Sequence, residues 1–175
     1  MILGAAALWL ASCGSGPSTP SSTSQPASSG GSSSQSGSPD ACSLYTLADA
    51  QRILGSNAKK GTLGDLGSSS PQFSVSTCSY TADSGSGIGD FVSTTVLVRR
   101  AQDAGEGKKD FLSVKGQTQG TQDVAGVGEM AYWNPAAGQL NVWKGKDWVI
   151  ISAGRTAPKN MDVAKQVAAA ILARE

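Results

Sequence analysis

Several short patterns bring together residue types that can do chemistry. Gly126-Val127-Gly128-Glu129-Met130-Ala131 has the G-x-G-x-x-A spacing with which a glycine turn sets backbone N–H groups against a dinucleotide pyrophosphate. That use needs a helix to follow. Tyr132, Trp133 and then Asn134-Pro135 follow instead, which predicts a strand bent by a glycine bulge. Ser56-Asn57-Ala58-Lys59 has the S-x-x-K order of a lysine-activated serine, but lacks S-D-N and K-T-G partners and reads as a solvated loop after a helix. Asp83 and Asp90 flank a glycine-rich loop that offers oxygen ligands of the kind calcium takes. The EF-hand spacing and its closing Glu are absent, so the expectation is a hairpin tip. Asp90, Asp123 and Glu129 are the carboxylates available for acid–base hydrolysis, and nothing in their spacing brings two of them together. Trp133, Trp143, Trp148 and Ile150 are the candidate lining of an apolar ligand groove, with a packed core as the plainer alternative.

Composition removes other classes. The 175 residues contain no histidine, which excludes Ser-His-Asp and Cys-His nucleophiles and His-ligated zinc. Net charge is +1 and the basic residues are scattered, which argues against a nucleic-acid footprint or a patch for anionic lipid. No cofactor and no metal is expected.

The most reactive group is Cys13. It closes Leu10-Ala11-Ser12-Cys13, which resembles the lipobox of bacterial lipoproteins. The resemblance implies that the Cys13 thiolate takes a diacylglyceryl group and that cleavage before it frees an amine for further acylation. Ahead of it, residues 2–11 (ILGAAALWLA) form an apolar run too short to span a bilayer but suited to a signal-peptide core. No Lys or Arg precedes the run, a departure from the usual basic leader segment. After Cys13 come Ser, Gly, Pro and Thr almost without interruption to residue 40. Such a segment buries too little to order itself and acts as a tether with a span of roughly 30 Å. The expected organisation is a signal peptide over 1–12, a tether over 13–40 and one domain over 41–175.

Within the domain, Thr46 and Asp49 cap a helix whose apolar residues are Leu47, Ala50, Ile53 and Leu54 and which Gly55 ends. Phe73–Tyr80 and Asp90–Arg99 alternate as strands. Lys108–Val114 reads as a short helix with Phe111, Leu112 and Val114 inward. Strands are expected over Asp123–Trp133, Gln139–Lys144 and Asp147–Ala153. A tight turn at Lys144–Asp147 pairs Trp143 with Trp148, Val142 with Val149 and Leu140 with Ile151. A last helix from Asn160 has the stripe Met161, Ala164, Val167, Ala168, Ile171 and Leu172. Hairpin-linked strands and flanking helices predict an α+β domain: an antiparallel sheet of about five strands with two main helices on it. The last hairpin is apolar on both faces, so something must cover its second face.

With Cys13 acylated, Cys42 and Cys78 remain. An extracytoplasmic setting favours a disulfide between them, the alternative being two buried thiols. The domain also resembles small secreted lipoproteins of actinobacteria that carry domains of unknown function. The likeness rests on Ala41-Cys42-Ser43-Leu44 leading into Leu47-Ala48-Asp49-Ala50, on Cys78-Ser79-Tyr80, and on Val124-Ala125-Gly126-Val127-Gly128 running to Ala131-Tyr132-Trp133. It implies the Cys42–Cys78 bond and an envelope location, and brings no catalytic residue. The expected function is that of a membrane-anchored envelope lipoprotein, a non-enzymatic binding or accessory module. Its expected partners are the membrane, through the anchor, and an envelope protein, lipid or glycan. The alternatives are an apolar ligand carrier or a carboxylate-dependent hydrolase.

Overall fold

The computed structural model describes residues 40–61, 69–83, 91–154 and 160–175. The leader, Cys13, the tether up to residue 39, Asp90 and the tip of the loop after Asp83 lie outside the described residues. In chain order the elements are α1 (Ala41–Leu44), α2 (Leu47–Leu54), β1 (Lys59–Lys60), β2 (Phe73–Asp83), β3 (Phe91–Ala101), α3 (Ala104–Gln117), β4 (Gln122–Asp123), β5 (Met130–Asn134), β6 (Gln139–Lys144), β7 (Asp147–Ala153) and α4 (Asn160–Leu172). The strands form one sheet in the order β1-β2-β3-β7-β6-β5-β4, and every neighbouring pair is antiparallel.

The α+β class is as expected, with more elements than the sequence shows. The described sheet has seven strands rather than five, because the two-residue β1 and β4 lengthen its ends. The described residues form four helices rather than two main ones. α1 is a single turn, and α3 runs for 14 residues from its N-cap Asp103, whose side chain accepts from the Glu106 N–H. The strand expected over Asp123–Trp133 with an interruption at its glycines is two, β4 and β5. Between them Gly126 and Gly128 hold positive φ of 77° and 59°, which makes a turn rather than a bulge.

Because side chains alternate across a strand, the register fixes two faces. One carries Cys78, Tyr80, Val96, Val98, Leu140, Val142, Val149 and Ile151, and α1, α2 and α4 pack on it. Tyr45 joins the layers there: its hydroxyl meets Thr94 Oγ1 at 3.0 Å and its ring sits edge-on to Tyr80. α2 has the expected capping box of Thr46 and Asp49 and ends at Gly55, where φ is 124°. Leu47, expected inward, is 42% exposed in the first turn, while Ala50 is buried. The α4 stripe of Ala164, Val167, Ala168 and Ile171 is buried as expected.

The second face is covered in part, by α3. Phe111 is buried against Tyr132, Trp143 and Trp148, with Phe73 and Ala101 completing the cluster. Leu112 and Val114, expected to share the inward side, are 45% and 39% exposed. Gly107 and Phe111, four residues apart, set the inward side of α3, and Leu112 lies roughly 100° around the helix from Phe111. Gly107 is where α3 touches the sheet. A Cβ there would stand 2.7 Å from Trp143 Cη2 and closer still to the Ala101 methyl.

Candidate functional site

The carboxylates singled out from the sequence are engaged separately. Asp123 forms an ion pair with Lys115 of α3. Glu129 Oε1 accepts from the Gly145 N–H at 2.8 Å and so braces the β6–β7 turn. Asp90 lies outside the described residues, and Asp83 ends β2, its carbonyl accepting from Asn57 Nδ2. Ser56 and Lys59 are both exposed, in the turn after α2 and at the start of β1. Cys42 and Cys78 form a disulfide that fastens α1 to β2. Beside it, at the β2 edge, a cleft of about 530 Å³ is lined by Asp40, Lys60, Thr77 and Ser79.

A second cleft, of about 480 Å³, gathers Arg100, Lys144, Lys146 and Arg174 around Asp147 and Glu175. Its cations are used by the fold. Arg100 donates to both oxygens of the buried Asp147, Nε to Oδ1 at 2.8 Å and Nη2 to Oδ2 at 2.6 Å. Arg174 reaches Asp49 at 2.8 Å and donates to the Leu44 and Ala170 carbonyls, tying the end of α4 to α1 and α2. Lys144 donates to the Leu172 carbonyl, Lys146 to that of Gln102. Burial holds the Glu175 carboxyl above its ordinary range and Asp147 adds to the rise, while Lys144 and Arg100 oppose it. The cleft therefore looks like a junction between elements.

The candidate groove residues do not share one face. Trp133 pairs with Leu140 and lies under the helices, whereas Trp143, Trp148 and Ile150 lie on the face that carries α3. The three indoles are 8%, 1% and 2% exposed, and Ile150 is half-buried. Phe111 fills the space over Trp143 and Trp148. On the helix side, the gap between α4 and the Val142–Val149–Ile151 surface holds no water-sized space.

Beyond the Phe111 cluster the second face continues as two cross-strand rows. The first is Thr77–Leu97–Ile150–Asn141 and the second Ser79–Thr95–Ser152–Gln139. These eight residues are neutral; the first row runs on through Tyr132 to Asp123, which pairs with Lys115, and Lys59 stands opposite Thr81 beyond the second. Ser79 and Asn141 are buried and the other six residues half-buried. Their polar groups hold one another in place: Gln139 Nε2 donates to Ser152 Oγ at 3.2 Å, and Trp148 Nε1 donates to Asn141 Oδ1 at 3.0 Å.

Arg99 stands at the border between the α3-covered part and these rows, paired with Val75 on one side and Trp148 on the other. Its guanidinium lies 4.3 Å from the Phe73 ring centroid and 4.6 Å from that of Trp148, within cation–π range of both. Both rings are buried, and the half-buried Arg99 side chain rests against them. Burial lowers its pKa below the ordinary arginine value, and Asp110 of α3 opposes the shift. Among the described residues no acceptor hydrogen-bonds the guanidinium. Neighbouring Arg100 meets Asp147 with both arms of its fork; the same fork on Arg99 is unmatched.

Sequence reasoning did not single out Arg99. The available signal was a basic residue on the Phe91–Thr95–Leu97 side of an otherwise apolar alternation. The rings that hold it come from Phe73 and Trp148, and only the sheet register brings those together. No family model, no curated protein and no solved structure matches this chain.

Proposed function

We propose that this chain is a non-enzymatic binding module, lipid-anchored through Cys13 on the extracytoplasmic face of a membrane, and that it binds through the part of its second sheet face beyond α3. The observation that carries the binding half is Arg99: a guanidinium against two buried rings, with no hydrogen-bond acceptor among the described residues, beside two rows of neutral residues. The anchored half is supported by the Leu10-Ala11-Ser12-Cys13 resemblance and by the Cys42–Cys78 disulfide, a bond that persists in oxidising compartments. The engagement of Asp123 with Lys115 and of Glu129 with the Gly145 N–H favours binding over carboxylate-driven hydrolysis. The test is fractionation of cells producing the full chain, with mass spectrometry of the peptide that begins at Cys13. Membrane association and a diacylglyceryl thioether on Cys13 are expected. A free Cys13 thiol in a soluble, reduced protein would overturn the reading.

A further inference from the structure

We infer that the part of the second sheet face beyond α3 takes an acidic saccharide, a polyhydroxylated ligand bearing a carboxylate or phosphate whose charge meets Arg99. The inference deepens the proposed function and rests on it.

Arg99 brings a positive charge to the border of this part of the face, and the eight residues of the two rows next to it are neutral; Asp123, at the far end of the first row, is paired with Lys115. Asp110 of α3 is the opposing charge that acts on Arg99, and among the described residues no acceptor hydrogen-bonds the guanidinium. A planar guanidinium with five N–H donors matches two acceptor oxygens on one acid group, and contact with the Phe73 and Trp148 rings restricts its movement. A ligand placed there loses less freedom than one that must order a mobile side chain.

The rows then select what accompanies the acid group. Thr77, Thr95, Ser152 and Gln139 are half-buried and present hydroxyls and an amide, each able to donate and to accept. Sugar hydroxyls have the same dual character. A long-chain lipid would find only Leu97 and Ile150 as apolar contacts in these rows. An extended basic track of the kind nucleic acid requires is missing from them as well. A tether of roughly 30 Å on an anchored Cys13 would hold the face among envelope polymers rather than against headgroups.

The experiment uses the full chain in detergent, with three probes: an oligogalacturonate, glucose 6-phosphate and neutral maltotriose. Trp148 touches Arg99, so tryptophan emission reports binding, together with the Arg99 Nε–H and the Thr95 and Ser152 amide signals in NMR. The uronate and the sugar phosphate separate carboxylate from phosphate as the acid group. At least one should shift all three NMR signals and bind at least tenfold tighter than maltotriose. Arg99→Gln should weaken that binding about tenfold or more, in line with the loss of a charge-assisted hydrogen bond. Thr95→Val, which keeps the size of the side chain, should weaken it several-fold with unchanged circular dichroism and so separates contact from folding. Equal binding of maltotriose, or full affinity in a folded Arg99→Gln variant, overturns the acid-group assignment but leaves a binding face. If no probe moves these signals, the saccharide inference fails while the Cys13 result still stands or falls by itself. Concentration-dependent dimerisation that moves the same signals assigns the face to a second copy of the chain and overturns the inference.

Discussion

An alanine at Gly107 should destabilise this domain, against the usual sign for a helical glycine. In a helix interior Gly→Ala stabilises by about 0.5–1 kcal/mol, because alanine loses less backbone freedom on folding. At Gly107 the new methyl would stand 2.7 Å from Trp143 Cη2, 3.2 Å from its Cζ3 and nearer still to the Ala101 methyl. Carbon atoms rest at about 3.5–4.0 Å, so something must move by roughly 1 Å. The indole is a poor candidate, since it is 1% exposed and packed against Phe111. Lifting α3 instead draws Phe111 away from Tyr132 and Trp148, whose ring centroids lie 5.2 and 5.6 Å from it. Overpacking of this kind costs about 1–3 kcal/mol, which outweighs the helix gain. The net expectation is a loss of about 1–2 kcal/mol, or a fall in Tm of several degrees. Gly116 is the internal control: it lies in the same helix with open space where its Cβ would be, so Gly116→Ala should raise Tm slightly. Thermal and urea unfolding of both variants, followed by circular dichroism, decides the matter. If Gly107→Ala stabilises as Gly116→Ala does, Gly107 is not the point at which α3 bears on the sheet.

Two further expectations concern the staple and the acid limb of stability. Replacing Cys42 and Cys78 by serine frees a loop closed over a sequence separation of 36 and should cost roughly 3–4 kcal/mol in urea unfolding; an unchanged midpoint would show that the bond contributes little. Asp49 is mostly buried, which raises its pKa, but hydrogen bonds from Thr46, Arg174 and Arg52 outweigh burial and bring it to about 2 from an ordinary 3.8. A folded value below the unfolded one gives stability that is present above about pH 4 and lost as the pH falls towards 2. With Arg52 largely exposed, about 1–2 kcal/mol is at stake. Urea midpoints of the wild type and Asp49→Asn should therefore converge between pH 5 and pH 2, and parallel curves would refute the account.

Much of the local structure was legible because its signals are short-range. Thr46 and Asp49 sit three residues apart and form the expected capping box. The Lys144–Asp147 turn fixes the pairs Trp143–Trp148, Val142–Val149 and Leu140–Ile151 as read from the sequence. What was hidden depended on other causes. Gly105, Gly107 and Gly116 lower the helix signal of α3, so it shows as half its true length. β1 and β4 are too short to carry a period. Trp133 looked like a companion of Trp143 and Trp148 because nothing local reveals that its pairing with Leu140 turns it to the other face. Arg99 joins Phe73 and Trp148, residues from three strands, and that juxtaposition exists only in the folded sheet.

The contrast between Arg99 and Arg100 carries the functional argument further than either alone. They are adjacent on β3 and therefore serve opposite faces. On the helix side, Arg100 and Asp147 satisfy one another with two short hydrogen bonds, and the pair closes the sheet against the end of α4. On the other side, Arg99 has rings beneath it and, among the described residues, no hydrogen-bond acceptor. Cation–π contact contributes about 0.5–2 kcal/mol, against the cost of removing part of the guanidinium's hydration. A leucine at position 99 would avoid that cost but would lose the cation–π contact and the attraction of Asp110. What arginine supplies and leucine cannot is a fork of N–H donors at the edge of a surface of neutral residues. The fold uses Arg100 to hold itself together, and the proposed binding assigns Arg99 to a group that comes from outside.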